Sequence, residues 1–270
     1  MNKKYFFITG LPRSGNTLLS SLLNQNPDIT ATGDSVVPEI FYRVEEIKKI
    51  NTYQNFPNEK SLDNINKNVF KNYYKYSKTK YIIDRGPWGT EYNFEMLNKY
   101  LDNNIKIIVL VRDIPEILMS FINLANDNIN FYLNKSFNEL IKSETWRDEV
   151  EQKCHILMKE HHPIDRGLYQ IKYLLNNVNN KNYKIFEYND LVSNPKKYLK
   201  DIYNFLEIPF YKKHYYKNLK QLKVNNLEYD DSVYGGPLHT ITTDKIRKQK
   251  MKVIKKILDK YSGMEFWRNN

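Results

Sequence analysis

A single cysteine, Cys154, stands in a chain of 270 residues. One thiol excludes an intrachain disulfide framework and a cysteine-built zinc site, which fits a reducing compartment and a cytoplasmic setting. Long apolar runs are also missing: no stretch approaches the roughly 20 residues that span a bilayer. The apolar run at 5–9 stops at Gly10, Pro12 and Arg13, too short for the core of a secretory signal. Acidic side chains are the minority, 31 against 42 basic ones, for a net charge of +11. An anionic ligand is therefore favoured over a cationic one. The excess is spread through a chain that over-uses Lys, Asn, Ile and Tyr, as in LLNNVNNKNYKI, and no RNA- or DNA-binding motif accompanies it. Bulk charge thus gives no argument for a nucleic-acid partner.

With 41% hydrophobic residues the chain has enough apolar content for a full core, and residues 1–270 read as a single domain. Four short apolar runs, at 5–9, 80–84, 105–111 and 183–188, are nearly continuous, the mark of strands buried on both faces of a parallel sheet. Helical patterns follow. Leu18, Leu19, Leu22 and Leu23 share one face before Pro27; Pro115 opens a helix carrying Ile117, Leu118, Phe121 and Ile122; Pro195 opens another carrying Tyr198, Leu199, Ile202, Phe205 and Leu206. Strand then helix, repeated, predicts an α/β fold with a central parallel sheet of four to five strands flanked by helices. The polar, aromatic segments 40–78 and 124–175 read as helical insertions over the sheet and an acceptor cleft. Tyr42, Tyr53, Tyr74, Phe131 and Trp146 either line that cleft or belong to the core. Segment 207–244 reads as a loop over the site, and 244–261 as a closing basic helix.

The most informative absence is one lysine. FFITGLPRSGNTLL satisfies the phosphate-loop signature G-x-x-x-x-G-K-[ST] at Gly10, Gly15 and Thr17, but the lysine position is Asn16. A strand, a glycine turn and a helix start aim several backbone N–H groups at one point, and this arrangement binds phosphate whatever the side chains are. Triphosphate chemistry needs the lysine as well. Here the cation is Arg13, inside the loop.

GLPRSGNTLLSSLLNQNP resembles the 5′-phosphosulfate loop of sulfotransferases, most closely the branch that holds the tyrosylprotein and many bacterial enzymes. Two further segments are similar to the family: IIVLVRDIPEILMSF, with Arg112 at a strand end and Ser120 on the next helix, and FEYNDLVSNP, with Tyr188 and with Asn189 in place of the usual acid. The likeness touches residues 6–27, 81–97, 105–121 and 183–210. It implies a P-loop-like fold and the donor 3′-phosphoadenosine 5′-phosphosulfate (PAPS, leaving the bisphosphate PAP), used without a metal. It also implies a donor site of Arg13, Ser14, Gly15, Asn16 and Thr17 at the 5′-phosphosulfate, Arg112 and Ser120 at the 3′-phosphate, and Tyr188 at the adenine. Arg fits such roles because its fork bonds a phosphate bidentately.

For catalysis the resemblance offers Arg13 and Arg85, the latter where the family carries a Lys after its second strand; pairing of Arg85 with Asp84 or Glu91 is the structural alternative. The position of the histidine base of the cytosolic enzymes is Pro87, and the acidic base of the protein-tyrosine branch maps nearest to Asp34, with Glu39 as the alternative. Lys245, Arg247 and Lys248 match basic residues that reach the 3′-phosphate, or form a solvated helix face. His239 lies in the loop that closes the site in the family, or on an ordinary surface loop. His155, His161 and His162 lack metal-ligand spacing. The acceptor is a hydroxyl of a small molecule, carbohydrate or peptide; a P-loop nucleotide or small-molecule kinase is the competing reading.

Overall fold

The computed structural model describes residues 3–101, 104–141, 148–241, 244–246 and 252–269. Five strands form one parallel sheet: β1 (Lys4–Gly10), β2 (Ile29–Ala31), β3 (Tyr81–Arg85), β4 (Ile107–Val111) and β5 (Tyr183–Glu187), in the order β2-β3-β1-β4-β5. The four expected strands are all present. The fifth, β2, is three residues long and gave no periodic signal, since strand pairing with β3 rather than local pattern makes it a strand. Burial of both sheet faces accounts for the unbroken apolar runs of the inner strands, β4 being buried at every position; β5, at the sheet edge, departs from the expectation, with only Phe186 buried. Phe7, Ile82, Ile107 and Val109 pack into one hydrophobic cluster, and Phe6, Ile8, Ile83 and Ile108 into another.

The helices are α1 (Asn16–Leu23), α2 (Val37–Ile47), α3 (Asn51–Asn55), α4 (Glu59–Tyr73), α5 (Glu91–Tyr100), α6 (Ile114–Asp127), α7 (Leu133–Ile141), α8 (Glu149–Met158), α9 (Pro163–Asn177), α10 (Tyr188–Ser193), α11 (Pro195–Leu206) and α12 (Lys255–Tyr261). Proline lies in the first turn of both α6 and α11, where its missing N–H costs nothing. Among the described residues no helix is long and apolar enough to cross a membrane.

The closing basic helix is shorter than expected. Of 244–261 only α12 is helical among the described residues; Lys245 instead bridges to Lys217, and Ile246 is buried in the core. Tertiary contacts there override the helix propensity of a Lys-rich run. Arg247 and Lys248, like Trp146, lie outside the described residues. Tyr74 and Phe131 belong to the core, while Tyr42 is exposed on α2.

The strand order places β1 between β3 and β4, so successive connections leave it in opposite directions. The crevice beyond the carboxyl ends of these strands is where such sheets bind ligands. Register carries the sequence-predicted arginines there: Ile8 is level with Arg85, Gly10 with Leu110, and Val111 with Glu187.

Candidate functional site

Beyond β1 the chain turns sharply into α1. Arg13 and Gly15 adopt left-handed backbone, with φ of 58° and 85°. Gly15 needs its missing side chain, because a Cβ would lie 2.9 Å from the Tyr188 ring. Asn16 donates from Nδ2 to the Leu11 carbonyl at 3.0 Å in a buried bond, tying the end of the loop to its beginning. No side chain caps α1, and its first turn carries no acid. The result is a helix start whose N–H groups and positive dipole face the crevice.

Three guanidinium groups converge on this loop. Arg112, 4% exposed, donates from Nη1 to the Arg13 carbonyl at 3.0 Å, pairs with Glu116 at 2.9 Å, and lies 4.3 Å above the Tyr188 ring. Arg13 donates from Nε to Ser120 Oγ at 3.1 Å and from Nη1 to the Leu238 carbonyl at 2.6 Å. Burial, then the neighbouring Arg112 cation, lowers the Arg13 pKa to about 10. It stays charged at neutral pH, and an incoming anion would relieve both costs. Arg85 is fixed more fully. Its guanidinium donates to the Gly33 carbonyl at 2.5 Å and to Tyr229 Oη at 3.4 Å, and it pairs with Asp34 at 3.2 Å. Neither Asp84 nor Glu91 is its partner. Asp84 turns the other way, fully buried, accepting hydrogen bonds from Tyr74, from Ser35 at 2.8 Å and from Trp88 at 2.9 Å.

The loop beyond α11 covers the crevice. Within it Tyr229 and His239 stack with ring centroids 4.0 Å apart and planes 5° apart, and His239 Nδ1 lies 2.7 Å from Asp231 Oδ1. Loop and sheet ends bound a cavity of about 570 Å³, open on one side and within the usual range of small-molecule sites. Arg13, Gly15, Asn16, Thr17, Asp34 and Arg85 line it, as do Arg112, Ser120, Tyr188 and His239. Ser14 does not: its side chain is fully buried and contacts the Pro12 carbonyl. Glu39 is also remote, on the exposed face of α2 in an ion pair with Arg43. The 40–78 insertion gives the cavity no lining residue, whereas the second insertion gives Tyr132, Pro163 and Arg166. No sequence motif surrounds Tyr132, Arg166, Tyr229, Asp231 and Tyr234; the second insertion brings in the first two and the loop beyond α11 the other three. His155, His161 and His162 stay apart from the site, and no group of three or more acidic, histidine or cysteine side chains among the described residues is placed to hold a metal ion.

No curated protein sequence matches the chain. Among solved structures it resembles the sulfotransferase domain from the curacin biosynthetic pathway (13% identity, TM-score 0.55, covering 97% of this chain and 98% of that one). It is also similar to a sulfotransferase from Alicyclobacillus acidocaldarius (17%, TM-score 0.49, 77% and 82%) and to mouse sulfotransferase SULT7A1 complexed with PAP (16%, TM-score 0.47, 78% and 60%). The first likeness establishes a shared fold. The profile of the sulfotransferase family matches residues 6–212, which contain the phosphate loop, all three arginines, Ser120 and Tyr188, and the chain belongs to that family of sulfonate-transferring enzymes.

Proposed function

We propose that this sulfotransferase takes its sulfonate from 3′-phosphoadenosine 5′-phosphosulfate and passes it by in-line displacement to a hydroxyl acceptor, without a metal ion. One observation carries the reading: Arg13, Arg85 and Arg112 line a single cavity around a phosphate loop whose lysine position, Asn16, is used up in holding the loop. These three arginines, with Arg166 lining the same cavity, suit a donor with a 5′-phosphosulfate and a 3′-phosphate. In this reading the N–H groups from Ser14 to Thr17 hold the 5′-phosphate, Arg112 and Ser120 the 3′-phosphate, and the Tyr188 ring the adenine. The donor supplies an activated sulfonate whose leaving group departs as a phosphate. Arg13 and Arg85 stabilise the charge that develops as the bond to that leaving group breaks, and both are held in advance by hydrogen bonds. Asp34 keeps Arg85 in place from the solvent side. The acceptor is a small molecule, a carbohydrate or a peptide, and residues 1–270 act as one domain. A nucleotide kinase has less behind it, because the Asn16 amide brings no charge to a γ-phosphate.

Thermal shift separates the two. PAP without Mg²⁺ is expected to stabilise the protein, by about 2.7 kcal/mol at a hundredfold excess over its dissociation constant. Stabilisation by ATP with Mg²⁺ alone would overturn the reading in favour of the kinase. Arg112→Ala is expected to weaken PAP binding about 10- to 100-fold in calorimetry, the worth of a charge-assisted bond. In a mass-spectrometric screen for sulfonate addition across acceptor classes, Arg13→Ala and Arg85→Ala are each expected to lose about 10²- to 10³-fold in transfer.

A further inference from the structure

The loop over the cavity holds one titratable side chain in an unusually determined position. His239 is 9% exposed, and Asp231 grips it twice: Oδ2 accepts the His239 backbone N–H at 2.7 Å, and Oδ1 lies 2.7 Å from Nδ1. Tyr229 stacks on one face of the ring, and the Tyr234 ring meets it nearly edge-on at 5.9 Å. Gln221 fixes the backbone on both sides, donating to the His239 carbonyl at 3.0 Å and accepting from the Ile241 N–H at 2.8 Å. A carboxylate at Nδ1 is acceptor-only, so the network assigns the proton to Nδ1 and the free lone pair to Nε2. Among the described residues no hydrogen bond or ion pair occupies Nε2, and the residue lines the cavity together with Arg13, Arg85 and Asp34.

We infer that His239, oriented by Asp231, is the general base that accepts the proton of the acceptor hydroxyl. This rests on the sulfonate-transfer reading of the same cavity. The acceptor O–H bond breaks and its proton passes to Nε2. The freed oxygen pair forms the new O–S bond, and the bond from sulfur to the 5′-phosphate oxygen breaks, its electron pair leaving with the bisphosphate. Asp231 then stabilises the imidazolium, as a carboxylate does behind the histidine of a hydrolase triad. The Asp34 side chain is 57% exposed and already occupied by Arg85, whereas Nε2 of His239 has no such partner among the described residues. The protonation state also suits the task. Burial and the Arg85 cation hold His239 below its usual pKa, against the opposing pull of Asp231 and Asp34. The ring is thus neutral and ready at pH 7. Leu238, the residue before it, takes the Arg13 hydrogen bond, so the base and a donor-side cation are joined through one peptide unit.

The test uses the full chain labelled with ¹⁵N-histidine, and His239→Asn, whose side-chain amide can still donate to Asp231 but has no counterpart of Nε2. The expected result is an Nδ1–H tautomer for His239 that gives way to a mixture of tautomers in Asp231→Asn. PAP should bind His239→Asn within threefold of the native chain. Turnover of the donor, with 4-nitrophenol or water as the acceptor probe, should fall about 100-fold or more, and the acidic limb of the pH–kcat profile should vanish. An Nε2–H tautomer in the native chain, or a variant that turns over within threefold of native with its acidic limb intact, overturns the assignment. Failure of the native chain to bind PAP would instead remove the donor reading beneath it.

Discussion

Beside Arg85 in the chain, Asp84 turns into the core, its carboxyl buried completely and surrounded by three donors, Tyr74, Ser35 and Trp88. Burial outweighs those bonds and pushes the Asp84 pKa up to about 6. The sign follows from linkage: a carboxyl whose folded pKa exceeds its unfolded value favours the fold while protonated. That contribution is present below about pH 4 and is lost as pH rises through about 6. Relative to Asp84→Asn, the native chain should therefore lose about 2–3 kcal/mol of unfolding free energy between pH 4 and pH 7 in urea titrations. Parallel pH dependences for the two proteins would show that Asp84 titrates as an ordinary exposed acid.

The cradle depends on how three elements meet, β1, α1 and β4. Gly10 pairs with Leu110 across β1 and β4 with φ of 125°, and a Cβ there would overlap the Leu110 carbonyl. Gly10→Ala is expected to cost at least about 3 kcal/mol in denaturant unfolding, since both backbone and strand pairing must give way. Gly15→Ala meets the Tyr188 ring instead of a backbone. Its cost in stability should be smaller, about 1–2 kcal/mol for the left-handed residue, while PAP affinity should fall disproportionately because α1 and the Tyr188 ring are pushed apart. A Gly15→Ala protein that binds PAP as tightly as the native chain would contradict this placement. The same elements explain why the first helix of the chain is short: α1 ends at Leu23, where Asn24 donates its N–H to Ser20 and then bonds β2 at both ends of Ala31.

Over the whole molecule the excess of positive charge, +11, coexists with a cavity whose arginines include the buried Arg112 and the half-buried Arg13 and Arg85. Dispersed surface charge is screened within about 10 Å at 0.1 M salt, but buried partners are screened much less. PAP affinity is thus expected to weaken only about three- to tenfold between 50 mM and 500 mM NaCl, measured by calorimetry. A hundredfold loss would mean that exposed lysines, rather than Arg13 and Arg112, do most of the binding.

Order along the chain, four strands each running into a helix, was readable from residue pattern because hydrophobic periodicity is local. The phosphate loop was readable for the same reason: Gly10, Arg13, Gly15 and Asn16 are close in sequence, and a strand–turn–helix is built from adjacent residues. Arg112, Ser120 and Tyr188 could be named because they stand in two short segments that resemble the family, Arg112 and Tyr188 just after a strand end and Ser120 on the helix that follows β4. Sequence did not give the partnerships. That Arg85 bonds Gly33, Asp34 and Tyr229 and that Arg13 reaches Ser120 and Leu238 depend on segments distant in the chain, while the grip of Asp231 on His239 under the Tyr229 ring is made inside a loop that carries no periodic pattern. The sequence by itself determined a sulfotransferase-type strand, glycine loop and helix start, because its parts are contiguous. Only the tertiary structure decided which cations are buried, which acid is occupied and which imidazole faces the cavity, because burial and long-range hydrogen bonds exist only once the loop beyond α11 folds back over the sheet.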